Sequence, residues 1–174
     1  MKKTGWWISG PKVTGISKMK IISRSARDTL KLGASLAGRL RPGDIICLEG
    51  GLGSGKTTLA KGIAAGLGVS PAKVTSSSFI LVREHPEGKL PLFHFDLYRL
   101  KNTSDIASLG FEEYLYGEGI AVIEWAERLD CLMPKERLMV KLSYGPGEQR
   151  VLRFSGEGRR YKELLRSWDE NISH

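Results

Sequence analysis

One glycine-rich segment has the residue types and the spacing that bind phosphate groups. Residues 50–57 read GGLGSGKT, which matches a glycine, any four residues, a glycine, a lysine and then serine or threonine. The glycines let the backbone approach phosphate oxygens, and the backbone N–H groups form an anion-binding nest at the start of the next helix. In such a nest Lys56 reaches the β- and γ-phosphates, and the Thr57 hydroxyl binds Mg²⁺. The segment, hereafter the P-loop, therefore predicts a site for a nucleoside triphosphate.

The predicted contacts of the nucleotide extend through the P-loop into the first turn of the helix that follows. Lys56 also belongs to the candidate catalytic residues, because its charge would lie at the β- and γ-phosphates. The residues that we expect to bind the nucleotide are Gly51, Leu52, Gly53, Ser54, Gly55, Lys56, Thr57 and Thr58.

A P-loop also needs a carboxylate on a neighbouring strand, which orients Mg²⁺ and water. Asp96 follows LFHF and Glu124 follows AVI, so each of them ends a predicted strand. The carboxyl ends of parallel strands face the crevice in which such sheets bind ligands. Both carboxylates are candidate catalytic residues, and spacing alone leaves open which of them holds the metal.

Other residues near these positions have simpler interpretations. The run Ser76–Ser78 is either a solvated turn or a switch-like loop whose hydroxyl senses the γ-phosphate. Trp125, beside Glu124, is more typical of packing than of chemistry. The histidines at positions 85, 94 and 174 lack the spacing of metal ligands.

The elements around the P-loop must present it at the edge of a sheet. Short runs that are apolar on both faces are typical of parallel strands, whereas alternating runs around Gly-Pro-Gly indicate an antiparallel hairpin. Together they predict a three-layer α/β domain of the P-loop NTPase type, with a mainly parallel central sheet and an antiparallel hairpin at one edge. The predicted strands are 19–23, 44–50, 90–96, 120–124, 137–144 and 149–155, and the predicted helices are 25–40, 57–67 and 159–168.

Length and charge predict a single domain with basic ends. The chain has 174 residues, of which 41% are apolar, and it carries a net charge of +8. Residues 1–20 contain five lysines and no acid, so much of the positive charge lies at the amino terminus. We expect a flexible basic leader at residues 1–18, a single P-loop domain at 19–168 and a tail at 169–174.

Composition also argues against a membrane protein and against a disulfide-bonded one. No stretch supplies the roughly 18 consecutive apolar residues of a membrane span, and the mean hydropathy is −0.20. The two cysteines, Cys47 and Cys131, are too few for a disulfide framework or a zinc site. These features predict a reduced, cytoplasmic location without a membrane partner.

Several motifs in co-linear order carry a family resemblance. The segments GGLGSGKTTLAKG, HFDLYRL (94–100), GFEEYL (110–115) and EWAERL (124–129) are similar to those of TsaE, also known as the YjeE family. This resemblance implies a small bacterial ATPase of tRNA threonylcarbamoyladenosine synthesis, with ATP and Mg²⁺ as cofactors. It further implies TsaD and TsaB as partners, and contact with tRNA through their complex. The domain at 19–168 would then be a P-loop ATPase domain.

The resemblance also assigns roles to three of the candidate residues. It associates Thr57 and Glu124 with Mg²⁺, and it makes Asp96 a residue required for activity. The chain departs from the family pattern at the serine run, where Ser77 replaces a proline, and at Gly51, where the family has an aspartate. Ala126 and His85 replace a common proline and a common tyrosine.

Two other functions remain as alternatives. Small-molecule kinases are often P-loop domains of this length, but they need an acceptor pocket and an arginine-bearing lid. A nucleotide-gated binding module would bind the nucleotide with negligible hydrolysis. Since no arginine is clearly placed to contact the γ-phosphate, the leading prediction is an ATPase that is weak alone and stimulated by its partners.

Overall fold

A computed structural model describes residues 18–75, 81–100, 102–108 and 110–172, and the side chains of this part up to residue 169. The run Ser76–Ser78, predicted to be either a solvated turn or a switch-like loop, lies outside the described residues. So do residues 1–17 of the predicted leader and the last two residues of the predicted tail.

The described residues form one sheet of seven strands in the order β1-β7-β6-β2-β5-β4-β3. Its centre is parallel, because β6, β2, β5 and β4 run in the same direction. The strands are β1 (Lys18–Ser23), β2 (Ile45–Glu49), β3 (Val82–His85), β4 (Leu92–Asp96), β5 (Ile120–Glu124), β6 (Arg137–Tyr144) and β7 (Arg150–Glu157). The helices are α1 (Ala26–Ala37), α2 (Lys56–Gly66), α3 (Thr103–Ala107), α4 (Phe111–Leu115) and α5 (Arg159–Ile172). Two 3₁₀ helices cover Pro71–Lys73 and Ala126–Leu132.

The antiparallel strands lie at the two edges of this sheet. The predicted hairpin of β6 and β7 is present, and β1 pairs with the outer side of β7. At the opposite edge, β3 pairs antiparallel with β4, a strand that we did not predict because its sequence VREH is short and polar. The predicted α/β fold, with a mainly parallel centre and an antiparallel edge, is confirmed.

Helices cover both faces of the sheet, which makes three layers. In β2, Ile46 and Leu48 face the core beneath α1, α2 and α5, whereas Ile45 and Cys47 face the core beneath α3 and α4. Because both of its faces are buried, the strand is apolar at successive positions rather than at alternate ones. The terminal helix α5 continues beyond its predicted end at residue 168 to Ile172.

Close packing of α1 on α2 sets the position of the helix that follows the P-loop. A Cβ atom at Gly62 would lie 2.3 Å from the Leu30 carbonyl oxygen, and one at Gly33 would lie 2.5 Å from that of Leu59. Only glycine permits this backbone approach.

A polar contact attaches α5 to the start of β2. Arg160 donates to both carboxylate oxygens of the buried Asp44, at 2.6 and 3.1 Å. The neighbouring Tyr161 hydroxyl accepts a hydrogen bond of 2.7 Å from the Ile45 amide.

None of the helices in the described ranges is long and apolar enough to cross a membrane.

Candidate functional site

The P-loop connects the end of β2 to the start of α2, as predicted. Gly50, Gly53 and Gly55 have φ angles of 145°, 73° and 104°, which L side chains rarely adopt. At Gly50 a Cβ atom would also lie 2.3 Å from the Leu142 carbonyl oxygen. The glycines are therefore required by the backbone path that leads into the helix.

The inner side of the P-loop has groups that suit an anion. The first N–H groups of a helix have no partner within it and carry the positive end of its dipole. Ser54 is 1% exposed, and its hydroxyl has no hydrogen-bond partner among the described residues. A Cβ atom at Gly51 would meet nothing within 4 Å, so space remains beside the loop. This donor set fits a phosphate group.

Lys56 lies inside the loop rather than in solvent. Its Nζ donates to the carbonyl oxygens of Gly50 and Gly51, at 2.6 and 2.8 Å. The ammonium also lies 3.7 Å from the centroid of the Trp125 ring, which makes a cation–π contact. Burial lowers the pKa of Lys56, and the nearby carboxylates of Glu124, Glu127 and Asp96 partly oppose that effect.

The two predicted carboxylates lie next to each other at the carboxyl ends of β4 and β5. Asp96 and Glu124 are paired in the strand register. Asp96 is half-buried, and its Oδ1 accepts a hydrogen bond of 3.1 Å from the Tyr98 amide. Glu124 is 1% exposed, and its Oε2 accepts a hydrogen bond of 2.8 Å from the Thr57 hydroxyl.

The contact between Thr57 and Glu124 is an arrangement that can hold a hard cation. Because the hydroxyl donates its hydrogen to the carboxylate, its oxygen keeps lone pairs for another partner. Hydroxyl and carboxylate oxygens are the ligands that Mg²⁺ prefers. The structure thus brings together Lys56, Thr57, Asp96 and Glu124, the charged and metal-binding candidates that the sequence analysis selects.

His94 is a site residue that the sequence analysis misses. It is 2% exposed, and its Nε2 lies 2.8 Å from Oε1 of Glu124. Its partner lies 30 positions away in the chain, and the spacing of the histidines among themselves does not reveal such a contact. The available signal was its position two residues before Asp96 on one strand, which places both side chains on the same face.

Trp125 packs as predicted and also contacts the site. It lies against the apolar cluster around Phe95 and Leu129, while its ring covers Lys56. Its own φ of 59° is left-handed, a strained conformation for a bulky residue. Tyr98 contacts the Trp125 ring with centroids 4.9 Å apart. The contact with Lys56 depends on tertiary structure, so no local sequence pattern predicts it.

The hairpin of β6 and β7 holds the outer side of the P-loop. The Tyr144 hydroxyl donates to the carbonyl oxygen of Leu52. Arg150 lies over the Tyr144 ring, with its guanidinium carbon 4.9 Å from the centroid. A cavity beside the loop is lined by residues of this hairpin, of the P-loop and of the helices α1 and α2, including Thr29, Thr58 and Arg150.

Comparisons with known proteins agree on one family. The family model described as "Threonylcarbamoyl adenosine biosynthesis protein TsaE" matches residues 23–152. The tRNA threonylcarbamoyladenosine biosynthesis protein TsaE of Bacillus subtilis (strain 168) is 40% identical over 146 residues, which are 83% of this chain and 89% of that protein. The protein of the same name from Treponema pallidum (strain Nichols) is 39% identical over 71% of this chain and 90% of its own length.

A solved structure has the same fold. The crystal structure of Bacillus subtilis YdiB superposes with a TM-score of 0.76 at 32% identity, covering 88% of this chain and 95% of that one. Since the family model spans most of the described domain and the relatives match over most of their length, the chain belongs to the TsaE family of threonylcarbamoyl adenosine biosynthesis proteins.

Proposed function

We propose that the chain is an Mg²⁺-dependent ATPase that serves as an accessory protein in the threonylcarbamoyladenosine modification of tRNA. The observation that carries the proposal is the hydrogen bond of 2.8 Å from the Thr57 hydroxyl of the P-loop to Oε2 of Glu124. It occurs in a chain that belongs to the TsaE family. The curated relatives are named for tRNA threonylcarbamoyladenosine biosynthesis. A phosphate site and a metal site in contact are what nucleotide hydrolysis needs.

Each candidate residue has a role in this proposal. The P-loop amides, with Ser54 and Lys56, bind the phosphates of ATP, and Gly51 to Thr58 enclose them. Thr57 and Glu124 hold Mg²⁺, whose charge, when bound, would offset that of the β- and γ-phosphates. Asp96 lies beside Glu124 in the register, where its carboxylate can orient the attacking water.

We further propose that the partners are TsaD- and TsaB-type proteins in the cytoplasm, and that tRNA is contacted through their complex. The family resemblance supports these partners. In the described part of the chain, Arg128 donates to the Leu100 carbonyl and Arg150 to that of Gln149, so both guanidiniums are used in the fold. We expect association with these partners to supply charge or order at the γ-phosphate, which can raise hydrolysis by up to ~10³–10⁵-fold.

The family assignment does not favour the kinase alternative. A kinase would transfer the phosphoryl group to a metabolite, whereas an ATPase releases inorganic phosphate. The binding-module alternative requires nucleotide affinity without turnover. Measuring the fate of the γ-phosphate separates all three functions.

The test measures phosphate release at saturating Mg-ATP, with and without TsaD- and TsaB-like proteins. We expect slow release by the chain alone and faster release with the partners. Lys56→Ala should lower the stimulated rate by about 10²-fold or more, the scale for removing one group that stabilises transition-state charge. Lys61→Ala is the control, because Lys61 is a half-buried lysine of the same helix outside the P-loop.

Three outcomes would contradict the proposal. Unchanged turnover in a folded Lys56→Ala variant would remove the assigned site. Brisk hydrolysis by the chain alone, unaffected by partners, would remove the accessory role. Transfer of the phosphoryl group to a metabolite panel would restore the kinase alternative.

A further inference from the structure

We propose that His94 is a positioning residue that fixes the orientation of the Glu124 carboxylate. Through that carboxylate it sets the relative position of the Glu124 and Thr57 oxygens that would bind the metal. The inference rests on the proposed function for the identity of that metal. It concerns a residue of β4 that has no assigned role in nucleotide binding.

The Glu124 carboxylate is held from two sides. Its Oε2 accepts from the Thr57 hydroxyl of α2, and its Oε1 lies 2.8 Å from His94 Nε2 of β4. A carboxylate that binds a metal is ionised and only accepts hydrogen bonds, so in the metal-binding state Nε2 is the donor in this pair. Partners on two different elements leave the carboxylate one orientation, although a glutamate side chain has three rotatable bonds.

Burial makes the contact with His94 important. Glu124 and His94 are 1% and 2% exposed, so solvent has little access to take the place of the imidazole. A buried carboxylate oxygen without a partner is costly, and the side chain would turn to find one. Loss of His94 would therefore change where Oε2 lies relative to Thr57.

The position of His94 in its strand also argues for a specific role. Leu92, His94 and Asp96 share one face of β4, and Leu92 is part of the core below it. An apolar residue at position 94 would simply continue that core. The chain instead has a donor directed at a carboxylate that is itself bonded to a P-loop hydroxyl. Groups that orient metal-binding side chains in this way typically contribute 10–100-fold to metal affinity.

The experiment measures binding of ADP by the purified full chain, first in EDTA and then as a function of Mg²⁺ concentration. His94→Leu removes the donor at similar volume. We expect its ADP affinity in EDTA to stay within about twofold of wild type, because the P-loop and Lys56 are unchanged. The Mg²⁺ concentration that gives half of the metal-dependent gain in affinity should rise by about 10–100-fold.

Two further variants make the effect specific. His94→Gln keeps an amide donor near the Nε2 position and should restore most of the wild-type Mg²⁺ requirement, whereas the shorter His94→Asn should not. His85→Leu is the matched control, because His85 is a buried histidine on the adjacent strand β3 whose ion pair is with Glu87 rather than with Glu124. Its Mg²⁺ requirement should equal that of wild type.

Each outcome decides between the possibilities. The positioning role is overturned if the Mg²⁺ requirement of His94→Leu is unchanged. It is also overturned if the ADP affinity of this variant falls as much in EDTA as it does in Mg²⁺. If His94→Leu does not fold, equal Mg²⁺ requirements for His94→Gln and His94→Asn overturn it. If wild-type protein binds ADP without any effect of Mg²⁺, the proposed function itself fails and this inference fails with it.

Discussion

At the scale of single residues, the site combines local chemistry with side chains from distant elements. Lys56 and Thr57 belong to one motif, and the backbone nest around them needs no tertiary partner to be recognised. Glu124 and Trp125 come from the carboxyl end of β5, and His94 comes from the middle of the neighbouring strand β4. Burial also lowers the pKa of Lys56, which lies among them.

A first prediction concerns the reactivity of the two cysteines. Burial raises the pKa of the Cys47 thiol to about 12, whereas Cys131 is exposed. Because the thiolate is the reactive form, Cys47 stays protonated and unreactive at pH 8. We expect a thiol reagent to modify one cysteine rapidly in the native protein, and both in denaturant.

The substitution Cys131→Ser is the control for this prediction. It should abolish the rapid phase and leave only the slow reaction that accompanies unfolding. Rapid modification of the Cys131→Ser variant at pH 8 would show that β2 is not buried as described.

At the scale of elements, the packing of α1 on α2 controls the position of the P-loop helix. Gly62 approaches the Leu30 carbonyl oxygen so closely that an added Cβ would lie only 2.3 Å away. Backbone cannot yield as a flexible side chain can. The helix that begins at Lys56 is therefore held by contact along its length rather than by its loop alone.

The element-scale prediction is that Gly62→Ala destabilises the protein. We expect a loss of about 1–3 kcal/mol in the free energy of unfolding in urea, the usual scale of overpacking. Gly38→Ala is the control. Gly38 has a φ of −63°, and a Cβ there would meet only the Ser35 carbonyl oxygen at 3.6 Å. A change of no more than about 0.5 kcal/mol is expected there. Equal stabilities of the two variants would contradict the close approach of the helices.

At the scale of the whole molecule, the sheet order explains why the site lies where it does. β2 lies between β5 and β6 in the parallel centre, and the helix after it covers one face while α3 and α4 cover the other. Parallel sheets bind ligands in the crevice at the carboxyl ends of their strands, where neighbouring strands connect to helices on opposite faces. On one side of this parallel centre, the β6–β7 hairpin supports the P-loop through Tyr144.

The terminal helix completes one layer of this molecule, and its attachment yields another prediction. Arg160 pairs with Asp44, whose side chain is 5% exposed. Removing one partner of a buried pair leaves an uncompensated charge, so Arg160→Ala should lower the free energy of unfolding by about 3 kcal/mol. Arg159 forms an exposed pair with Glu163 on the same helix, and Arg159→Ala should cost less than about 1 kcal/mol. Urea unfolding of both variants checks the difference, and similar losses would contradict it.

Part of this protein could be predicted from its sequence because the information is local. Phosphate binding by successive backbone amides needs a contiguous motif, so residues 50–57 identify the loop without any knowledge of the fold. The apolar runs of β2 and β5 are also local, and they predict parallel strands that are buried on both faces. The division into a leader at 1–18, a domain at 19–168 and a tail stays a prediction.

Other features depend on which strands become neighbours, and only the tertiary structure decided those. β1 pairs with β7 across residues 18–23 and 150–155, although no residue pattern in either strand predicts that pairing. The β4–β5 register aligns Asp96 with Glu124 and brings His94 close enough to bond that carboxylate. The ring of Trp125 reaches Lys56 only because β5 lies beside β2. These contacts join residues far apart in the chain, and their geometry follows from strand pairing and burial rather than from any local pattern.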